Sequence, residues 1–321
     1  MINPRHRVIV VTPIYEDTEA SSRLFKELAT EWGDDVFVVA VDDGSVHHPV
    51  DVGSLKAAPV EGVVLKLKRN VGHQRAIAIG LSYVAERLHA QQRVVVMDSD
   101  GEDLPSTLRD LLAMLEAPAL DVVVAQRKRR VETWRFKAFY MVYKRFFRLM
   151  TGRAISFGNF MALKPGAVKR LVAMQELPIH VAGAVLASKL RTGVCPLDRG
   201  PRYAGKSKMN FVGLALHGFK GLMVFAEDVL VRVGLACAGI AALSILGISA
   251  AIVLKLIGFS TPGWFSIVLG ILVLMLLQTG ALALMTLMLT GVMRGGTVTT
   301  AVAHQDFIDE VVSTALPTAS P

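Results

Sequence analysis

Two stretches limit what this chain can fold into before any other residue is considered. Val233–Leu254 and Trp264–Leu289 are apolar almost throughout. As helices, each is long enough to cross a hydrocarbon layer about 30 Å thick. Lys255 is the only charge in or beside them before Arg294, and at a helix end its stem can carry the ammonium out to the interface. The link between them, Ile257–Gly263, holds Gly258, Pro262 and Gly263, a turn composition that makes the two spans a hairpin. Arg232 precedes the first span, Arg294 follows the second, and a far larger basic load lies upstream. Positive charge therefore places both ends, and both termini, in the cytoplasm, as for a multi-pass protein of the inner membrane. These runs raise the chain of 321 residues to 52% hydrophobic and a mean hydropathy of +0.46, too apolar for an ordinary soluble enzyme. MINPRHRVIVV runs directly into a strand, so no secretory leader is expected. Cys195 lies outside the spans and Cys237 inside one, so no disulfide framework is expected. There is no internal repeat and no low-complexity segment.

The chain up to about residue 125 alternates strand and helix patterns, which predicts an α/β fold on a mainly parallel sheet. Arg7–Val11, Val36–Val41 and Val63–Leu67 are the first three predicted strands, and Glu19–Thr30 is a helix with Leu24, Phe25 and Leu28 along one side. Another helix is expected from about His73. The fourth strand lies in Arg93–Pro105, RVVVMDSDGEDLP, and a fifth at Asp121–Ala125. Val94 to Met97 is a continuous apolar run, as in a strand buried on both faces. It ends in three acids at alternating positions, Asp98, Asp100 and Glu102. Alternate residues of extended chain point the same way, so their carboxylates are expected to converge on one hard cation at the strand's carboxyl end. Open α/β sheets bind ligands there. Asp103 is the better cap for a helix starting at Pro105 or Ser106, so capping does not account for the other three. No loop carries the glycine spacing of a P-loop or a dinucleotide fingerprint, which argues against an ATPase or a dehydrogenase. With acids at the strand ends, a bound diphosphate requires a bridging Mg²⁺ or Mn²⁺, ions held by a few carboxylates together with substrate phosphates.

Four segments, TPIYED, VDDGS, RNVGHQRAIAIGL and MDSDGEDLP, together resemble glycosyltransferase family 2 in order and spacing. They are most similar to its polyprenyl-phosphate branch, the dolichol-phosphate mannose synthases and bactoprenol glucosyltransferases. The resemblance covers nearly the whole chain and weakens after Arg294. It implies a nucleotide-binding GT-A-like, Rossmann-type sandwich with a carboxy-terminal pair of membrane helices. By motif it assigns Pro13, Tyr15, Glu16, Asp42, Asp43, Asn70, Gly72 and Asp98 to the nucleotide, and Asp98, Asp100 and Glu102 to the metal and diphosphate. Two positions depart from the family pattern. Glu16-Asp17 stands where Asn-Glu is usual, and Glu102 replaces a common glutamine. A simple turn is the lesser, competing reading of VDDGS taken alone, and a histidine at a helix start, such as His73, is more often structural than catalytic.

Residues 127–153 carry a dense basic charge with Glu132 as the only acid. Within them, Trp134–Met150 sets Phe136, Phe139, Tyr140, Tyr143, Phe146, Phe147 and Met150 at helical spacing, with Lys137, Lys144, Arg145 and Arg148 away from that face. Such a helix suits the interface of an anionic membrane better than nucleic acid, given the apolar spans in the same chain; ordinary core packing is the competing reading. Asn210–Ala226, with Phe211, Leu214, Leu222 and Phe225, is a second such segment. Arg202 to Asn210, RYAGKSKMN, resembles the family's Arg…Gly-x-(Thr/Ser)-Lys segment. Arg127, Arg129, Arg202, Lys206, Ser207 and Lys208 are thus candidates for the acceptor phosphate. The Gln-x-x-Arg-Trp motif of processive synthases is absent, which argues against polymerisation.

FGNF, Phe157 to Phe160, stands where related enzymes carry Gly-Asp-Phe, so Asn159 joins Asp100 as a catalytic candidate. A sugar hydroxyl needs a positioned base to become a nucleophile. A phosphomonoester, with a second pKa of about 6, is largely dianionic at pH 7 and needs none. Loss of the aspartate thus favours polyprenyl phosphate as acceptor, with Glu102 or Asp103 as the remaining candidate bases for a hydroxyl. The expected organisation is residues 1–130 for nucleotide-sugar and metal, 131–228 for the acceptor side, 229–293 for the hairpin and 294–321 as a cytoplasmic tail. The expected activity is transfer of one sugar from a UDP or GDP donor, with inversion. Transfer to a hydroxyl of a lipid-linked glycan and a non-catalytic scaffold are the alternatives, and a hairpin this small leaves room for a homo-oligomer.

Overall fold

The computed structural model describes residues 2–127, 134–155, 157–203, 211–259, 263–295 and 304–314. Two compact units emerge: residues 1–144, 154–224 and 299–321 form the first, and residues 145–153 with 225–298 the second.

The first unit is built on an eight-stranded sheet: β1 Val8–Ile14, β2 Val36–Asp42, β3 Glu61–Leu67, β4 Arg93–Val96, β5 Val122–Arg127, β6 Met161–Leu163, β7 Thr192–Leu197 and β8 Ile308–Ser313. Their spatial order is β7-β5-β6-β4-β1-β2-β3-β8. The central run β4-β1-β2-β3 is parallel, as the alternating pattern predicts. Helices α1 Thr18–Trp32, α2 Val52–Ala57, α3 His73–Ala85, α4 Leu108–Leu115, α5 Trp134–Thr151, α6 Pro165–Val172, α7 Val181–Ala187 and α8 Phe211–Met223 accompany the strands, with α5 passing from the first unit into the second. Leu24, Phe25, Leu28, Leu55, Leu108 and Leu111 from α1, α2 and α4 pack on one sheet face. Ile77, Leu81, Val168, Leu171, Val181 and Val185 from α3, α6 and α7 pack on the other. Strands buried on both sides have no polar positions to alternate, which is why β1 and β2 are buried along their whole lengths.

Three strands lie beyond the five expected: β7 pairs parallel with β5, and the other two are antiparallel. β6 inserts antiparallel between β4 and β5; at three residues it is too short to leave a periodic signal. Residues 308–313, expected in a tail, pair antiparallel with β3 as an edge strand. Lys66 pairs with Glu310 at 2.8 Å there, and Phe307 and Ile308 pack against the core.

In the second unit, α9 Ala226–Leu256 and α10 Trp264–Gly295 pack side by side as an antiparallel hairpin, with Gly234 against Thr286 and Gly247 against Leu272. Gly258, at φ +76°, ends α9; the amide of Phe259 reaches back to the Leu254 carbonyl at 3.0 Å, a termination that glycine permits at no steric cost. Pro262 lies outside the described residues. Lys255 Nζ sits 4.1 Å from the centre of the Phe265 ring, a cation–π contact across the turn. Leucines, isoleucines and methionines along both helices are exposed, and both helices have the length and apolar composition of membrane spans.

Candidate functional site

The carboxyl ends of β1, β2 and β4 and the amino end of α3 meet along one sheet edge. Register fixes this: Ile14 pairs with Asp42, and Val11 with Val96. Asp42 and Asp43 are both buried. Asp42 accepts from the amides of Ser45 and Val50, each at 2.9 Å. Asp43 accepts from Val71 at 2.7 Å and Gly72 at 3.0 Å. Burial outweighs those two N–H groups and raises the Asp43 pKa. Gly44, at φ +70°, lets the loops touch; a Cβ there would lie 2.5 Å from the carbonyl carbon of Arg69. VDDGS is thus a knot joining three loops. Asn70 is exposed beside it, and Gly72, at φ +89°, begins α3.

Pro13 is buried at the end of β1, and Tyr15, 45% exposed, opens onto the edge. Glu16 adopts φ +49°. Its carboxylate accepts from Val46 at 2.7 Å, from His48 at 2.7 Å and from His47 at 3.1 Å. These N–H groups, that of Val46 foremost, lower its pKa to about 2. Glu16 therefore shapes the 45–48 loop. Asp17 caps α1 through Ala20 at 3.4 Å.

The acid loop after β4 does not gather three carboxylates around one point. Among the described residues, no group of three or more His, Cys, Asp or Glu side chains is placed to hold a metal ion. Asp98 Oδ1 is buried, makes no hydrogen bond, and lies 3.2 Å from His73 Nε2 as an ion pair. Burial opposes the Asp98 charge, but His73 overcomes it and the pKa falls. Burial likewise opposes the His73 imidazolium, and Asp98, then Asp100 and Asp43, raise its pKa regardless. Asp100 is raised by burial and then by the Asp98 charge, against Arg202. Its Oδ1 accepts from the Glu102 amide at 3.0 Å, and its Oδ2 pairs with Arg202 Nη2 at 2.9 Å. Glu102 pairs with Arg199 and, through Oε1, with Arg202 Nε at 3.1 Å. Asp103, expected to cap the next helix, instead accepts from the Asp98 amide at 3.0 Å; a 3₁₀ turn, Pro105–Thr107, precedes α4. Asp98 and Asp100 are carboxylates of the kind that hold a hard cation whose remaining ligands come from water and phosphate, and Asp100 Oδ2 would have to exchange Arg202 for it. Asp98 contributes an oxygen with no hydrogen bond, while Glu102 is committed to arginines.

Asn159 lies in the same cluster. Its Nδ2 is 3.0 Å from His73 Nε2, and its Oδ1 accepts from Gln74 Nε2 at 3.3 Å. Gln74, buried, is held in turn by the amide of Val181 at 2.7 Å. His180 caps α7 through Gly183 and meets His217 of α8 at 3.1 Å. Burial, and then the His217 charge, lower the His180 pKa to about 3. His73, Gln74 and Arg199 join this polar cluster and are the members that sequence reasoning missed or set aside. His73 was legible only as a helix start, and Arg199 gave no sign beyond standing three residues before Arg202. Arg129, Lys206, Ser207 and Lys208 lie outside the described residues, as does the side chain of Arg127.

The two segments expected at a membrane interface form α5 and α8, and their exposed faces differ from the expected ones. In α5, Phe147 is buried and meets Phe225 edge-on with ring centres 5.9 Å apart, while Tyr143 donates to the Gly218 carbonyl. The exposed apolar stripe is Val142, Phe146 and Leu149, with Met141 beside it and Lys144, Arg145 and Arg148 also exposed. In α8 the exposed stripe is Leu216, Phe219 and Met223. The side chains of Phe136, Lys137, Phe139, Tyr140, Phe211 and Leu214 lie outside the described ones.

The family described as Glycosyl transferase family 2 matches residues 9–174. An uncharacterized glycosyltransferase of Bacillus subtilis (strain 168), YkoT, is 26% identical over 82% of this chain and 80% of its own length. An undecaprenyl-phosphate 4-deoxy-4-formamido-L-arabinose transferase of Enterobacter sp. (strain 638) is 28% identical over 65% of this chain and 64% of its own. Among solved structures, glucosyl-3-phosphoglycerate synthase of Mycobacterium tuberculosis in complex with Mg²⁺ and uridine-diphosphate aligns over 71% of this chain and 79% of its own. Its identity is 12% and its TM-score 0.49.

Proposed function

The chain belongs to glycosyl transferase family 2, and from that premise we propose that it moves one sugar from a nucleotide-sugar to polyprenyl phosphate at the cytoplasmic face of a membrane. The observation that carries the acceptor class is the state of position 159. Its amide oxygen is held by Gln74 and its amide nitrogen faces His73, so no carboxylate stands there to deprotonate a hydroxyl. Glu102 and Asp103, the other candidate bases, are engaged by arginines and by the Asp98 amide. A phosphate dianion brings its own nucleophile. One of its oxygens attacks the anomeric carbon while the bond from that carbon to the nucleoside diphosphate breaks, and the configuration inverts. The relative from Enterobacter, named for transfer to undecaprenyl phosphate, supports the same class.

Within this reading, Tyr15 and the VDDGS knot form the nucleoside side of the site, and Asp98 and Asp100 hold Mg²⁺ or Mn²⁺. Such an ion supplies Lewis-acid stabilisation to the leaving diphosphate when bound. Arg202, followed by Lys206, Ser207 and Lys208, supplies donors for phosphate oxygens. The exposed stripes of α5 and α8 rest on the bilayer surface, with lysine and arginine toward anionic headgroups. Topology supports the hairpin. The chain leaves the sheet unit before α9 and returns to it as β8, so an even number of crossings brings both ends back to one side. The basic load makes that side cytoplasmic.

The test is incubation of the purified protein with a panel of nucleotide-sugars and either undecaprenyl phosphate or a lipid-linked glycan, with lipid products identified by mass spectrometry. Glycosylated polyprenyl phosphate is expected. Product only with the glycan acceptor refutes the reading.

A further inference from the structure

Residues 199–203, Arg-Gly-Pro-Arg-Tyr, follow β7 and lie across the acid loop. The Gly200 amide donates to the Glu102 carbonyl at 3.1 Å and the Tyr203 amide to the Asp100 carbonyl at 2.8 Å. Two glycines make the approach possible. A Cβ on Gly101, itself at φ +87°, would lie 2.5 Å from the Tyr203 ring, and one on Gly200 would lie 2.6 Å from the Gly101 carbonyl oxygen. Tyr203 is pinned from its far side, donating to Glu27 beneath the Arg23 guanidinium, which sits 4.4 Å from the ring centre.

The strap supplies two positive charges to three negative ones, the charge a single divalent cation would bring. Both oxygens of Asp100 are engaged, one by the Glu102 amide and one by Arg202 Nη2. Arg202 spans two carboxylates, with Nε on Glu102 and Nη2 on Asp100. Arg199 holds the other Glu102 oxygen. A cation on Asp100 Oδ2 would share that oxygen with the Arg202 guanidinium, and the two positive charges would repel one another. The geometry also gives Glu102 a reason to be an acid, because a glutamine would offer one neutral oxygen to two guanidinium groups.

Resting on the glycosyltransferase reading, we propose that Arg202 and a divalent cation compete for Asp100. Glu102 and Arg199 anchor the strap about which Arg202 pivots. On cation binding, the Nη2 end of Arg202 leaves Asp100 for the diphosphate of the incoming donor, while Nε stays on Glu102. Arg199 and Glu102 are positioning residues, and Glu102 is not a cation ligand.

Mn²⁺ binding to the full chain in detergent, followed by electron paramagnetic resonance without any sugar donor, tests the competition. Removing a partly exposed ionic competitor makes Arg202→Gln bind Mn²⁺ about five- to tenfold more tightly than the unsubstituted protein. Glu102→Gln, although it loses a carboxylate, binds at least as tightly as the unsubstituted protein. Equal or weaker Mn²⁺ binding by Arg202→Gln, or a tenfold loss in Glu102→Gln, overturns the proposal. None of these measurements requires sugar transfer. A protein that gives the expected cation results but makes no glycosylated lipid overturns the activity and leaves the strap standing.

Discussion

Asn159→Asp separates the two acceptor classes, and the structure sets its size. The substitution places a carboxylate oxygen where Nδ2 now lies, 3.0 Å from His73 Nε2, while Gln74 continues to donate to the other oxygen. At an effective dielectric near 20, attraction between that carboxylate and an imidazolium at this distance is about 5 kcal/mol before solvent screening. His73 is 44% exposed, so only a fraction of this survives. The same carboxylate repels an incoming phosphate dianion by about 4 kcal/mol per charge pair at roughly 4 Å, again before screening. If about 1.4 kcal/mol of net repulsion remains, kcat/KM for polyprenyl phosphate falls roughly tenfold. A hydroxyl acceptor responds in the opposite sense, because the new carboxylate can receive its proton. The assay is kcat and KM against pH for both proteins, with undecaprenyl phosphate and with a lipid-linked glycan. A marked rise in kcat on the hydroxyl acceptor, with no loss on the phosphate, refutes the phosphate assignment.

Four further outcomes are expected. Asp100→Asn should abolish transfer while leaving the thermal melting curve nearly unchanged, and chelator should do the same reversibly; full turnover in chelator refutes metal dependence. Replacing Val142, Phe146 and Leu149 with serine, or Lys144 and Arg148 with glutamate, should raise the KM for lipid acceptor and weaken sedimentation with anionic vesicles. Each cation removed costs about 1 kcal/mol of membrane attraction, and unchanged vesicle binding would assign α5 to core packing. Gly44→Ala adds a Cβ 2.5 Å from the Arg69 backbone at φ +70°, a strain of roughly 1–3 kcal/mol that should appear as a lower denaturation midpoint. His180, with a folded pKa of about 3, binds its proton in the unfolded chain first. Stability is therefore full above the unfolded value near 6.5 and falls as pH drops toward 3, by at most about 1.4 kcal/mol per pH unit. His180→Asn should flatten that slope in thermal melts between pH 7 and 4.

What could be read in advance depended on how local each signal was. Continuous apolar runs such as Val36–Val41 mark strands covered on both faces without reference to any partner, and the central parallel strands were legible for that reason. The membrane-length helices were legible because a bilayer reads length and composition alone. β6 and β8 carry no such signature. Each is held by the strand it joins, and the six residues of β8 lie more than 240 positions from β3. In α5, periodicity identified the helix but not its outward side. Tyr143, Phe147 and Val142, Phe146 are adjacent stripes of similar composition, and only packing against Gly218 and Phe225 turns the first pair inward.

The acid loop shows the same division most clearly. Alternation correctly placed Asp98, Asp100 and Glu102 at one strand end, yet alternation holds only while the chain stays extended, and β4 ends at Val96. Beyond it, Gly101 at φ +87° turns the backbone, and each carboxylate takes the cation nearest its new direction: His73 for Asp98, Arg202 for Asp100, and Arg199 with Arg202 for Glu102. Those arginines lie about a hundred residues downstream, so no local pattern pairs them with the loop. The positive groups around these acids are also the groups suited to a diphosphate. An acid loop neutralised by neighbouring arginines keeps its charges paired without a bound cation. A metal site built of three unpaired buried carboxylates would instead carry the full repulsion of like charges until a cation bound.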